Sequence, residues 1–524
     1  MNITSIQENI ATQKTFHLII AIIICILTTG LLRLQLMPMT PETDGGINTF
    51  VNQFIYSNMS NGNKLNGIMP LHLYSHLTAW VYSLNINQYM LLKVIDGFVA
   101  VLASILFFKV ILKESGSIFL TVALIIPLLI EMNQPEIMGY GFKNSIWISY
   151  VPLFSALLVW QNSSIKNNFS FYLIGALVAL GVLFREPFFL IFIFTAVSIL
   201  RGYGWRMLLK YLVGSGVLGL SIIMFILLIR RGELIGIINS YFVLGGGLSD
   251  YSTDILPLFF GWIKYSIKAN WLLCIMSSIS IFYIVKLYFT DTKLINANRF
   301  YFWLGIALLP LLEPILKLGF PYHIYNCIPG LAGLIAMTWK YTNINKSKLS
   351  NKLSKLIITL MSLVVILPTI NKIINAETIY GPSTAIALVN YNSYRSKFNI
   401  ESNGYLIAAA KIYNLSREDS SLVVSGHMQA LYPLTGLLPP TYELNDLRTL
   451  YSSLNFNKDK LGKIIEKYRP TLIMTSNLSG KGEKDLPGII EKTNLYMKVA
   501  IIEKNISINY GYKAGTIYRL KDFK

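Results

Sequence analysis

Residues 17–46 read HLIIAIIICILTTGLLRLQLMPMTPETDGG, and this stretch decides the class of the protein. Its first part, 17–35, is an apolar run long enough to cross the roughly 30 Å hydrocarbon core of a bilayer as a helix. Lys14 precedes it, and no small-residue cleavage site follows, so the run reads as a retained signal anchor. Its second part, 37–46, holds Pro38, Pro41, Gly45 and Gly46 around two acids, Glu42 and Asp44. Prolines and glycines at that density predict an irregular turn, so the acids sit in a shaped loop at the membrane–water boundary.

Working outward, ten more apolar runs follow, near 92–112, 117–132, 145–161, 170–184, 187–201, 210–229, 269–288, 298–316, 322–340 and 355–374. The chain is therefore expected to be a polytopic α-helical membrane protein of about eleven spans. Of its 524 residues 53% are hydrophobic and only 14% charged, where a soluble domain carries about 25% charged residues. Mean hydropathy is +0.52.

The charges fix an orientation. Lys14, Lys109 and Lys113, Lys166, then Arg201, Arg206 and Lys210, then Lys286, Lys293 and Arg299, and finally Lys340 to Lys355 fall at alternate ends of successive runs. With the N-terminus cytoplasmic, all of these face the cytoplasm, as basic loops do. An odd number of spans then puts the C-terminus outside. The net charge of +19 is explained by these loops and does not argue for nucleic acid as a partner; the membrane lipids are the expected neighbours.

Two domains follow: 1–374, the spans with outer-face juxtamembrane helices in loop 36–91, and 375–524, a soluble α/β domain. In the latter, 421–426 (SLVVSG) and 471–476 (TLIMTS) are short apolar runs between turn formers and read as buried strands. Residues 458–468 (KDKLGKIIEKY) space their apolar positions as a helix does, and another helix is expected over 486–493. Neither a Gly-rich phosphate loop nor a Ser-His-Asp signature is present. Cys25, Cys274 and Cys327 all fall in apolar runs, without metal or disulfide spacing. No metal or other cofactor is indicated.

The outer loops collect the residues able to do chemistry. Asp44 is open to two roles on the residues alone: an acid at the membrane surface, or the N-cap of a helix expected over 47–56, for which Asp is a favoured residue. Glu42, Glu131 and Glu136 are further acids on that side. His72 and His76, four apart, share one face of a helix; they read better as part of an interfacial helix over 70–87, with Tyr74, Trp80 and Tyr82 at headgroup level, than as a zinc pair. Arg185, followed by Glu186 and Pro187, interrupts an apolar stretch; it is either a phosphate ligand or half of a local ion pair. Arg230 and Arg231 are phosphate contacts or headgroup anchors. Tyr322 and His323 open a late span.

This layout resembles the GT-C superfamily of membrane glycosyltransferases, which includes protein-mannosyltransferase-like enzymes and aminoarabinose transferases. Asp44 matches the position of the family's acid past the first helix. Residues 70–74 (PLHLY) look like a degraded form of its His-Pro-Pro-Leu segment, and 322–330 (YHIYNCIPG) is similar to its Arg-Tyr…Pro segment. Residues 422–441 and 468–475 look like strands of its outer domain. The resemblance implies a bacterial inner-membrane enzyme with its site on the extracytoplasmic side, such as one decorating O-antigen or cell-wall glycan. It implies a polyprenyl-phosphate-linked sugar as donor and a glycan, lipid or protein as acceptor. Asp44 would be the base of an inverting displacement, with Arg185, Arg230, Arg231 and His323 as candidate phosphate ligands and His72, His76 and Tyr322 as candidate acceptor contacts. Two other classes stay open: a polymerase or ligase of lipid-linked repeat units, and a transporter or flippase. Against the last, no internal repeat is visible.

Overall fold

The computed structural model describes residues 19–30, 32–33, 43–60, 73–84, 88–133, 144–162, 169–229, 299–316, 326–344, 404–426, 428–476, 482–502 and 515–523, with single residues 16, 260 and 278. The first apolar run forms α1 (Ile19–Gly30), which ends in a π-helical turn over Ile26–Gly30. Next come α2 (Thr43–Ser60) and the short α3 (Leu73–Thr78), continued by a 3-10 turn over Ala79–Ser83. The apolar helices that follow are α4 (Gln88–Ser115), α5 (Ile118–Met132), α6 (Asn144–Asn162), α7 (Phe169–Phe184), α8 (Phe189–Tyr203), α9 (Trp205–Met224), α10 (Phe300–Leu316) and α11 (Ile328–Ile344).

These helices form one bundle. Contacts run from α4 to α6, α7, α9, α8, α10 and α11 and return to α4, with α1 and α5 against α4. A single apolar core joins them, with Phe107, Trp147, Tyr150, Phe154 and Trp303 fully buried. The outward faces are apolar too: Phe98 is 73% exposed, Leu220 65% and Leu228 69%. Helices that are hydrophobic all round, with no described residue covering the outer face, suit lipid there. Within α4, Leu91–Ser115 is long and apolar enough to cross a membrane alone, as is α9. Of the expected spans, those at 269–288 and 355–374 lie outside the described residues.

Packing in the bundle relies on close backbone approach, as membrane helices do where hydrophobicity gives no preference for protein over lipid. Gly175 of α7 and Gly214 of α9 face each other's helix. A Cβ on Gly175 would stand 2.8 Å from the Tyr211 carbonyl carbon, and one on Gly214 would stand 2.8 Å from Tyr172 Cα. Ser215 Oγ donates to Gly175 O across the same crossing at 2.9 Å.

Residues 404–523 form an α/β unit. Helix α12 (Gly404–Leu415) precedes β1 (Leu422–Val424), α13 (Leu431–Thr435), α14 (Leu447–Ser453) and α15 (Lys458–Tyr468). Then come β2 (Leu472–Ser476), α16 (Leu486–Lys492), β3 (Tyr496–Ile502) and β4 (Gly515–Leu520). The sheet order is β1-β2-β4-β3; β1 and β2 are parallel, the other pairs antiparallel. Both parallel strands are buried along their whole length, which is why they read as unbroken apolar runs. Asn457 caps α15 by accepting from Lys460 N at 3.0 Å, while Leu461 and Ile465 turn inward one turn apart. The domain boundary expected at 374/375 lies outside the described residues.

Two local expectations are corrected. The interfacial helix read over 70–87 is a single α-turn segment followed by the 3-10 turn. Of its aromatics, Trp80 is exposed, Tyr74 is buried, and Tyr82 is half-buried with its OH donating to Thr49 O at 3.1 Å. The helix expected to start at Ile47 starts at Thr43, so Asp44 and both glycines lie inside α2. Gly46 is there for contact: a Cβ on it would stand 2.5 Å from Ala430 Cβ.

Candidate functional site

Antiparallel helices bring distant segments to one end of the bundle. Helix α1 leaves the bundle at that end, α4 enters there, α5 and α7 finish there, and α6 and α11 begin there. Helices α2 and α3 cover the same end, and α3 touches α6 and α7. Of the acids and bases expected to matter, Asp44 lies in the first turn of α2, so it follows the helix start instead of preceding it as an N-cap. Glu131 lies in the last turn of α5. His76 is buried on α3. Arg185 is half-buried just after α7, its N–H donating to Val182 O at 3.0 Å. All four stand at the same end. Glu42, His72, Glu136, Arg230, Arg231, Tyr322 and His323 lie outside the described residues.

The same end holds a charged group that the sequence reading passed over. Arg33 follows α1. Its Nη1 donates to Asp96 Oδ2 of α4 at 2.5 Å, its Nε donates to Asn133 Oδ1 after α5 at 2.9 Å, and its Cζ lies 5.8 Å from the Trp147 ring centroid of α6. Lys93, three residues before Asp96 and on the same face of α4, is within electrostatic range of Arg33. Tyr74 of α3 is in range of both Arg33 and Asp96. Every one of these side chains is buried: Arg33 is 6% exposed, Lys93 4% and Asp96 0%.

Such a group is costly at the edge of a membrane and is kept there by its partners. Arg suits the role, because its planar fork bonds a carboxylate and an amide at once. Yet the bonding is incomplete. Among the described residues, Arg33 Nη2, Tyr74 OH, Trp147 Nε1 and Asp96 Oδ1 have no hydrogen-bond partner. A buried polar atom left unsatisfied costs about 1–3 kcal/mol. Three of the four are donors, and the cations Arg33 and Lys93 stand within electrostatic range of each other. This chemistry matches an oxyanion such as a phosphate, with Asp96 Oδ1 left to accept from a hydroxyl.

The opposite end of the bundle carries a closed counterpart. Glu114 Oε1 accepts from Arg299 Nε at 2.6 Å, Gln161 Nε2 at 2.9 Å and Trp303 Nε1 at 3.4 Å, and Oε2 accepts from Arg299 Nη2 at 3.0 Å. Both carboxylate oxygens are engaged, so this group ties α4, α6 and α10 together.

A third polar group lies at the carboxyl ends of β1 and β2, where open α/β sheets commonly take ligands. Ser425 Oγ donates to Glu483 Oε2 at 3.0 Å; Gly426 N and Gln429 Nε2 donate to Asp446 at 3.2 and 3.1 Å. Burial, then the Asp446 charge, push the Glu483 carboxyl up to about 7. Solvent is excluded from these residues, and the bonds join the turns after the two strands to each other, so the group braces the sheet.

No protein-family model matches the sequence, and no curated protein matches it. Among solved structures, the chain is similar to ArnT from Cupriavidus metallidurans bound to undecaprenyl phosphate: TM-score 0.49, 12% identity, 97% of this chain and 98% of that chain. It is also similar to the Archaeoglobus fulgidus oligosaccharyltransferase tethered to an acceptor peptide: TM-score 0.46, 11% identity, 88% of this chain and 69% of that chain.

Proposed function

We propose that the chain is a membrane glycosyltransferase that moves a sugar from a polyprenyl-phosphate carrier to a glycan, lipid or protein acceptor on the extracytoplasmic face. The observation that supports this reading is the donor-rich group around Arg33, unsaturated among the described residues, at the end of the bundle that the Asp44-bearing helix α2 covers. A lipid-linked donor reaches its enzyme from the side, with the phosphate at headgroup depth. A buried cationic group beside the ends of α1, α4 and α5 is where such a phosphate meets protein.

In the reaction, Asp44 takes the proton of the acceptor hydroxyl as its oxygen attacks the anomeric carbon. The bond from that carbon to the phosphate oxygen breaks, the configuration inverts, and the polyprenyl phosphate departs with both electrons of the bond. Arg33, Lys93 and Arg185 are the cations this reading assigns to the phosphate charge. Preorganised cations at developing charge are often a large catalytic contribution, with a single donor worth about 3 kcal/mol. Asp96 and Asn133 hold the Arg33 fork in place.

The test compares lipid-linked precursors and finished surface glycan by mass spectrometry in cells carrying the gene, lacking it, or carrying Asp44→Asn. Loss of one sugar mass in both the null and the variant, with chain length unchanged, supports the reading. Loss of long chains with intact repeat units would identify a polymerase instead. A well-inserted Asp44→Asn protein that still transfers sugar removes Asp44 from the role of base.

A further inference from the structure

The helix bearing Asp44 shares its core with the C-terminal α/β unit. Phe50 and Phe54 of α2 lie in one buried cluster with Ala430, Tyr432 and Tyr442. The Phe50 ring centroid is 4.5 Å from that of Tyr432 and 5.9 Å from that of Tyr442, and the Phe54 ring is 5.3 Å from Tyr442. Gln53 Nε2 donates to Gly436 O at 3.1 Å. Nearest to Asp44, Gly46 lies so close to Ala430 that a Cβ on the glycine would stand 2.6 Å from Ala430 Cα as well as 2.5 Å from its Cβ. Toward the bundle, α2 has polar ties: Asn52 Nδ2 donates to Thr78 Oγ1 at 2.8 Å, and Tyr82 OH donates to Thr49 O.

We infer that residues 404–523 position Asp44 for its reaction, through α2, and that Ala430 and Tyr442 are positioning residues for it. This rests on the assignment of Asp44 as base. The physical argument concerns distance. A general base works within about 2.6–3.2 Å of the atom it deprotonates, and a misplacement of about 1 Å costs on the order of 100-fold in rate. The first turn of α2 abuts Ala430 backbone, which gives a firmer stop than a flexible side chain. The two aromatic contacts, one and two turns further along, then fix the rotation of the helix. A C-terminal unit attached in this way sets the register of the base relative to the bundle that holds the phosphate site.

The experiment uses full-length protein in lipid nanodiscs, with hydrogen exchange read over 43–60, and the same variants in cells with the sugar transfer read by glycan mass spectrometry. Gly46→Ala is the sharpest variant. Alanine favours a helix over glycine by about 1 kcal/mol, so a helix governed by local propensity would gain protection. Displacement from Ala430 predicts the reverse: faster exchange over 43–60 and transfer reduced on the order of 100-fold. Tyr442→Ala, changed 382 residues or more from α2 in sequence, is expected to do the same, and Tyr442→Phe to restore both readouts because its ring contacts are kept. Exchange over 458–468 serves as the check that the α/β unit remains folded. Unchanged exchange over 43–60 in both Gly46→Ala and Tyr442→Ala overturns the inference. So does full transfer by a variant whose α2 has lost protection. Full transfer by Asp44→Asn would instead refute the base assignment, a result distinguishable because it leaves the exchange data untouched.

Discussion

Replacing Asp96 by Ala isolates what the Arg33 group contributes. The pair is 2.5 Å apart, with side chains 7% and 1% exposed. Removing the carboxylate leaves a buried guanidinium with Asn133 and the Trp147 ring as its remaining described partners. Breaking a buried pair from one side costs about 3–5 kcal/mol, because the surviving charge stays desolvated. Removing both charges, as in Arg33→Leu with Asp96→Leu, is about neutral or better for stability by the same principle. The two experiments therefore separate structure from function. Unfolding by SDS in mixed micelles, followed by tryptophan fluorescence, should show Asp96→Ala destabilised by about 3 kcal/mol or more and the double variant close to the parent. Glycan mass spectrometry should show sugar transfer lost in both. An Asp96→Ala protein within about 1 kcal/mol of the parent would refute the buried pair as drawn. A stable double variant that still transfers sugar would refute the role given to the group in binding phosphate.

Three further outcomes are expected. Glu483 keeps its proton up to about pH 7 when folded, against 4.5 for a solvated glutamate, so its contribution is fully present below pH 4.5 and is lost as pH rises through 7, by on the order of 3 kcal/mol. Protection factors in β1 and α16, corrected for the intrinsic pH dependence of amide exchange, should be higher at pH 5 than at pH 8, with Glu483→Gln flattening the difference; equal protection at both pH values in the parent would contradict this. Gly214→Leu should prevent α7 and α9 from meeting and abolish folding, read as loss of the monodisperse peak in detergent, and a well-folded variant would show the crossing to be adaptable. Glu114→Ala should destabilise by about 3 kcal/mol because Arg299 loses its carboxylate, while Glu114→Gln, which retains a partner for Gln161 and Trp303, should cost less in the same SDS titration.

The apolar runs were legible because lipid imposes length and composition directly on sequence. Strands β1 and β2 were legible for a similar reason, since full burial leaves an unbroken apolar string. Asp44 was visible as an acid after the first span, but its setting was misread. Two glycines after two prolines signal a turn, yet Gly46 sits in a helix because Ala430 leaves no room for a side chain. That demand comes from a residue 384 positions away. Arg33, Lys93 and Asp96 were passed over for a related reason. Each stands at the margin of an apolar run, where a charge that reaches to water needs no explanation. Lys93 and Asp96, three apart on one helical face, were the available local sign; Arg33 meets Asp96 across 63 residues and Asn133 across 100, which no spacing rule reveals.

Among the described residues the bundle holds two buried ion groups, and each bears on the other. Both join an Arg to a carboxylate between helices, and both add an amide and a tryptophan. At the Glu114 end, both carboxylate oxygens are bonded and the indole N–H is used. At the Arg33 end, one carboxylate oxygen, one guanidinium nitrogen and the indole N–H have no partner among the described residues. If charge were placed in the bundle only to register helices, both ends would be expected to close in the same way, since each open atom costs about 1–3 kcal/mol. The chain shows at one end that it can close such a group. Among the described residues the other is open, at the end of the bundle that α2 and α3 cover, which supports the proposal of a group completed by something that comes and goes. The lipid phosphate of the proposed reaction has the charge and the acceptor atoms to complete it, and in that reaction it leaves after each turnover, which a fully bonded site would hinder.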